Sequence, residues 1–245
     1  LISIAIADVY SIMGNHNNAV YYYKKAIGIH TDLDNPKELS TALNNLGDEY
    51  LLISKPDSAL LMFEQSGPVF KRLGFTEGIA MTIGNKGIAY AMLGKDELAK
   101  DEINHAINMF EKMEKYYPIS IFLMYMSDLY LNQGDWEAAL EYAERSLELS
   151  EKYGLKDEIS KANLQLSKLY ERSGDAEASL KYFKNHISYK DSVNNISAVQ
   201  RMANIRTDFE ISQKQLEVDL LNQQKRNQSI VVIATIIALI LIIGL

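Results

Sequence analysis

Apolar and small residues recur along this chain at helical spacing, in blocks separated by polar turns. Tyr10, Tyr50, Tyr90, Tyr130 and Tyr170 stand 40 residues apart without a slip. Three residues before each comes a small residue: Ala7, Gly47, Gly87, Ser127, Ser167. Four residues after it come Gly14, Ser54, Gly94, Gly134 and Gly174, and nine after it Ala19, Ala59, Ala99, Ala139 and Ser179. The column thirteen after it is mostly large (Tyr23, Phe63, Ile103, Ala143, Phe183), and the column sixteen after it mostly small (Ala26, Ser66, Ala106, Ser146, His186). The pattern predicts a helix–turn–helix unit repeated five times over residues 1–193, with the tyrosines at equivalent buried places. Small residues let paired helices approach closely, and the large column fills the space between hairpins. No hairpin can bury its face alone, so the units must stack. The next period would need Tyr at 210, but the chain has Glu210, with Thr207, Lys214 and Asp219 at the other marked columns. The solenoid therefore ends after the fifth copy.

From about Asn194 the pattern changes. Met202, Phe209 and Leu216 recur at seven, while Ser212 and Asp219 stand where a second heptad position should be apolar. Residues 194–228 read as a connector helix and a possible coiled coil, with a homodimer through 199–221; the plain alternative is a helix packed back on the solenoid's end. From Ile230 to Leu245 no residue is charged. These 16 residues reach about 24 Å as a helix, against the ~30 Å of a bilayer core. Residues 229–245 thus read as a truncated transmembrane helix, and the chain, opening on Leu1 and stopping while still apolar, as a fragment cut at both ends. The predicted fold class is all-α: an αα-hairpin solenoid, a long connector helix and a transmembrane helix.

Composition narrows the chemistry. The 245 residues include no cysteine, which excludes disulfides and thiolate metal sites. A net charge of −7 opposes a nucleic-acid surface. His16, His30, His105 and His186 show no zinc-ligand spacing. Gly84-Asn85-Lys86-Gly87 has the look of a phosphate loop but falls inside the first helix of the third copy. No nucleophile elbow, kinase signature or paired-carboxylate site emerges. No catalytic residue, cofactor or metal is expected in this stretch.

The columns resemble the tetratricopeptide repeat family: Leu46-Gly47, Tyr50, Ser54, Ala59, Phe63 and Ser66 in one copy, and Leu166-Ser167, Tyr170, Gly174, Ser179 and Phe183 in another. Departures are Lys86 at an apolar position, His186 at a small one, and a period of 40 rather than the family's 34, which implies longer helices or loops. The resemblance implies a concave groove lined by the inner face of each first helix, where a protein or peptide binds. Carried over by position, the lining includes Asp8, Asn44, Asp48, Asp128, Asn132, Lys168 and Arg172. Such a groove is acidic at the first, second and fourth copies and basic at the fifth, and suits basic or mixed peptides. The same charges would equally serve to keep an exposed helix face soluble. The family's clamp for a peptide carboxylate needs lysines beside Asn44 and Asn45 that are not there.

The layout as a whole resembles bacterial membrane signalling proteins common in Bacteroidetes. The matching stretches are Tyr189-Lys190-Asp191-Ser192, the run from Phe209 to Leu221, and Lys225-Arg226-Asn227 leading into the apolar segment. The resemblance implies a sensor module in the periplasm, one inner-membrane span and a cytoplasmic output domain such as a histidine kinase or cyclase. Lys225-Arg226, taken alone, would favour a cytoplasmic solenoid instead. The alternative reading is a tail-anchored scaffold that assembles partner proteins.

Overall fold

The computed structural model describes residues 2–193, 214, 218–226 and 228. The first compact unit, Leu1–Lys190, is built entirely from paired helices. In order these are α1 (Ile2–Ile12), α2 (His16–Asp32), α3 (Pro36–Leu52), α4 (Pro56–Arg72), α5 (Thr76–Met92), α6 (Asp96–Lys112), α7 (Tyr116–Asn132), α8 (Trp136–Lys152) and α9 (Lys156–Ser173). They are followed by α10, the helix over residues 176–193. Among the described residues there is no strand.

The turns explain the period. Helices α2 to α8 each have 17 residues. At each turn one residue takes positive φ: Gly14, Asp34, Ser54, Gly74, Gly94, Glu114, Gly134, Gly154 and Gly174, one every 20 positions. The residue after it donates its N–H to the carbonyl five back, as Asn15 does to Tyr10 and Lys55 to Tyr50, each at 2.8 Å. This closes each helix as a left-handed C-terminal cap. The backbone thus repeats every 20 residues and the side-chain chemistry every 40. Longer helices account for the excess over 34, since the connectors are short.

The small columns sit where the helices of a pair touch. Ala19, Ala59, Ala99 and Ala139 are fully buried. A Cβ on Gly47 would lie 2.3 Å from the Phe63 ring, and one on Gly87 2.6 Å from Ile103. Where serine stands in the same column it bonds across the pair: Ser127 Oγ donates to Ala139 O at 2.8 Å and Ser167 Oγ to Ser179 O at 3.0 Å. Gly84-Asn85-Lys86-Gly87 lies within α5, with Gly84 pressed against Phe122.

The tyrosine column differs from its expected burial. All five are equivalent but half-buried. Three of them stack on a ring twelve residues later: Tyr10 on Tyr22, Tyr130 on Tyr142 and Tyr170 on Tyr182, each with centroids 5.4 Å apart. In the third copy Glu102 replaces that partner, and Lys86 reaches it at 3.4 Å while lying over the Tyr90 ring. One exchange explains the other. His186 is buried; its Nδ1 lies 3.0 Å from Ser160 Oγ and 2.9 Å from Ser160 O. Phe183 is 45% exposed, unlike Tyr23, Phe63, Ile103 and Ala143 of its column.

In the second unit, Asp191–Leu245, the described residues are helical. The expected coiled coil and dimer seam fall largely outside the described residues, and the expected transmembrane segment 229–245 wholly so. Among the described residues no helix is long and apolar enough to cross a membrane.

Candidate functional site

The first helices of successive pairs, α3, α5, α7 and α9, place one stripe of side chains side by side. The stripe runs through the positions thirteen, nine, five and two before each tyrosine and two after it, which share one helix face. Two hollows open along it. One, of about 270 Å³, is lined by Asp48, Met81, Ile88, Tyr117, Ile121 and Tyr125, with Leu52 at its edge. The other, of about 400 Å³, is lined by the apolar and aromatic side chains of Leu52, Ile121, Met124, Tyr125 and Leu164 and by the polar ones of Asp128, Glu158, Lys161, Gln165 and Lys168. Leu52, Ile121 and Tyr125 belong to both, so the hollows adjoin.

Of the residues expected in the groove, the structure brings Asp128 and Lys168 into one hollow and Asp48 into its neighbour. Arg172 is close enough for its charge to act on Asp128. Asn132 is exposed at the end of α7. Asn44 is buried, and its Oδ1 accepts from Thr82 Oγ1 at 3.0 Å. Asp8 accepts from Tyr23 OH at 2.6 Å and from Asn45 Nδ2 at 3.3 Å, so it ties α1 to α2 and α3.

The aspartate column has a second use that the sequence reading missed. Asn45 donates to Asp8, Asn85 to Asp48 and Gln165 to Asp128, each across 37 residues. Every aspartate two before a tyrosine is met by an amide five before the next one. Where the aspartate is replaced by Ile88, the facing position is Tyr125. The signal was present in the chain as two columns that change together.

The electrostatics follow from this. Burial, with a smaller contribution from the neighbouring Glu49 charge, pushes the Asp48 carboxyl up to about 7. Glu49 is itself 1% exposed and lies 2.6 Å from His16 Nδ1. Loss of hydration raises Asp128, while the Gln165 amide, Lys168 and Arg172 oppose the rise. Burial and the charges of Asp48 and Asp128 raise the Tyr125 phenol. Lys161 bridges Asp157 at 2.5 Å and Glu158 at 3.4 Å. The second hollow is therefore of mixed sign. Among the described residues no three His, Asp or Glu side chains converge as a metal site.

The tetratricopeptide repeat profile matches residues 1–72 and 119–189. No curated protein matches the sequence. Among solved structures the fold is similar to that of BtubC (BKLC) from P. vanneervenii, at 19% identity and a TM-score of 0.60, over 77% of this chain and 78% of that one. It is similar to a Rap protein complexed with Competence and Sporulation Factor, at 14% identity and a TM-score of 0.72, over 76% of this chain and 52% of that one. It is also similar to the Rap conjugation gene regulator of plasmid pLS20 in complex with a Phr peptide, at 16% identity and a TM-score of 0.70, over 78% and 53%. This chain spans about half the length of both Rap proteins.

Proposed function

The chain belongs to the tetratricopeptide repeat family, and on that footing we propose that residues 1–190 are a peptide-binding module without catalysis, whose ligand lies along α3, α5, α7 and α9. One observation carries the reading: a hollow lined by Leu52, Ile121, Met124, Tyr125 and Leu164 together with charges of both signs. Such a surface anchors an apolar side chain and orients it by its charged neighbours. The two Rap structures, one complexed with Competence and Sporulation Factor and the other with a Phr peptide, support it by analogy of fold.

Selection of random twelve-residue displayed peptides on the full chain tests this. Leu52 is 59% exposed, so Leu52→Glu should leave the fold intact. Peptides recovered on the parent chain should lose at least tenfold in affinity on Leu52→Glu. Recovery of none, or of peptides indifferent to Leu52, would oppose the reading.

The proposal extends to the whole chain as a membrane-anchored signalling sensor. Residues 229–245 enter the inner membrane as a single span, the solenoid faces the periplasm, and the connector with its heptad positions Met202, Phe209 and Leu216 carries the binding event onward as a dimer. The uncharged run after Ile230 supports the anchor. A chain ending at Asn222 should be soluble and the 245-residue chain should partition into membranes. Recovery of the longer chain from the soluble fraction would remove the anchor.

A further inference from the structure

The smaller hollow differs from its neighbour in charge. Its lining holds one carboxylate, Asp48, and no Lys, Arg or His. Asn85 already donates to one oxygen of that carboxylate. Apolar walls from Met81, Ile88 and Ile121 and the phenols of Tyr117 and Tyr125 complete it. A carboxylate in such a place has exchanged water for little else. A neutral apolar occupant would remove the water that remains; an anionic one would add repulsion. The occupant that offsets both is a cation carried on an alkyl stem, which apolar walls cover while aromatic faces and a carboxylate take the head.

We propose that the hollow between α3, α5 and α7 receives a Lys or Arg side chain of the bound peptide, its stem over Met81, Ile88 and Ile121 and its charged head on Asp48. This rests on the peptide-binding reading above and adds the identity of one anchor. It also accounts for the break in the aspartate–amide ladder. Ile88 and Tyr125 stand where Asp and an amide stand at the other junctions, and both line this hollow. Replacing a bonded polar pair by an apolar and an aromatic side chain creates the wall that a stem needs.

The charge of Asp48 makes the binding dependent on pH. The titratable groups facing it are Glu49 on its own helix, Tyr23 of α2, and Tyr117 and Tyr125 of α7. His16 of α2 stands behind Glu49. Among these, Asp48 is the group raised to about 7. A bound cation favours its ionised form, so binding should strengthen as pH rises through that value.

The test uses the peptides selected on the full chain, choosing one without Asp, Glu or His. Lys or Arg should be enriched at one fixed position. Replacing that residue by norleucine should weaken binding at least tenfold, and Asp48→Asn should do the same while keeping an acceptor for Asn85. Between pH 8 and pH 6 the parent chain should lose about tenfold in affinity and Asp48→Asn should lose almost none, which assigns the response to that carboxyl rather than to His16. The norleucine and pH arms leave the protein unaltered. Peptides that need Leu52 but lack a basic residue, or that bind Asp48→Asn equally well, would overturn this inference and leave the peptide-binding reading standing. Failure to recover any Leu52-dependent peptide would overturn both.

Discussion

Gln165 Nε2 donates to Asp128 Oδ1 at 2.6 Å, joining α9 to α7 across 37 residues of sequence. Asn45 with Asp8, and Asn85 with Asp48, repeat the register. A solenoid needs its hairpins to stack at one offset, and apolar surface alone is tolerant of sliding. A directional bond to a carboxylate fixes the offset, because a shift of one residue leaves both partners unpaired.

Asn85→Ala should therefore cost about 1.5–3 kcal/mol, since it strands a half-buried carboxylate. The junction where Ile88 faces Tyr125 supplies a control. Asp48→Ile combined with Asn85→Tyr should be less destabilising than the sum of the single changes. Urea unfolding of the four chains measures the coupling. Strict additivity would show that the pair does not act as a unit.

Glycines in two helices should respond oppositely. Gly47→Ala drives a methyl into the Phe63 ring, which is 1% exposed and has no room to swing. A loss of about 1–3 kcal/mol is expected, visible as a lower unfolding midpoint. Gly28 meets nothing within 4 Å and is exposed on α2, so Gly28→Ala should raise stability by about 0.5–1 kcal/mol. Equal responses would contradict the assignment of the small column to the helix contact.

Asp48 also sets a pH dependence of folding. Its carboxyl is raised in the folded chain to about 7, above its unfolded value near 4. Between these values the folded chain holds a proton that the unfolded chain has lost. Stability thus falls as pH rises from about 4 to about 7, by on the order of 4 kcal/mol from this group. Asp48→Asn should flatten that fall and be the more stable chain at pH 8. Denaturant midpoints of both chains from pH 4 to pH 8 would show it. An unchanged slope would mean that Asp48 keeps its water when folded.

Much of this was legible in the chain. The 40-residue columns give the helix pairs, the turns at Gly14, Gly94, Gly134 and Gly174, and the buried Ala59 and Ala99. The turns at Asp34 and Glu114 were hidden, because there a non-glycine residue takes positive φ under tertiary constraint. The site was read only in part. The family resemblance, carried over by position, places Asp48, Asp128 and Lys168 on the facing side, but a polar column cannot reveal whether its members point at solvent or at the next helix. Asn44 illustrates the second case, held by Thr82 in the core. Part of the apolar lining was missed for a different reason. Tyr125, Ile121 and Met81 look like core residues in one dimension, and only the stacking of α5 on α7 leaves them facing a hollow.

On the proposed function, a peptide binds along the stripe of α3, α5, α7 and α9. Methyl resonances of the 245-residue chain, followed while a selected peptide is titrated in, test it most directly. Met81, Ile88, Ile121, Met124 and Leu164 should shift together and saturate at one stoichiometry, while Leu61 and Leu98 of the second helices stay still. Shifts confined to Leu61 and Leu98, with the stripe unmoved, would contradict it.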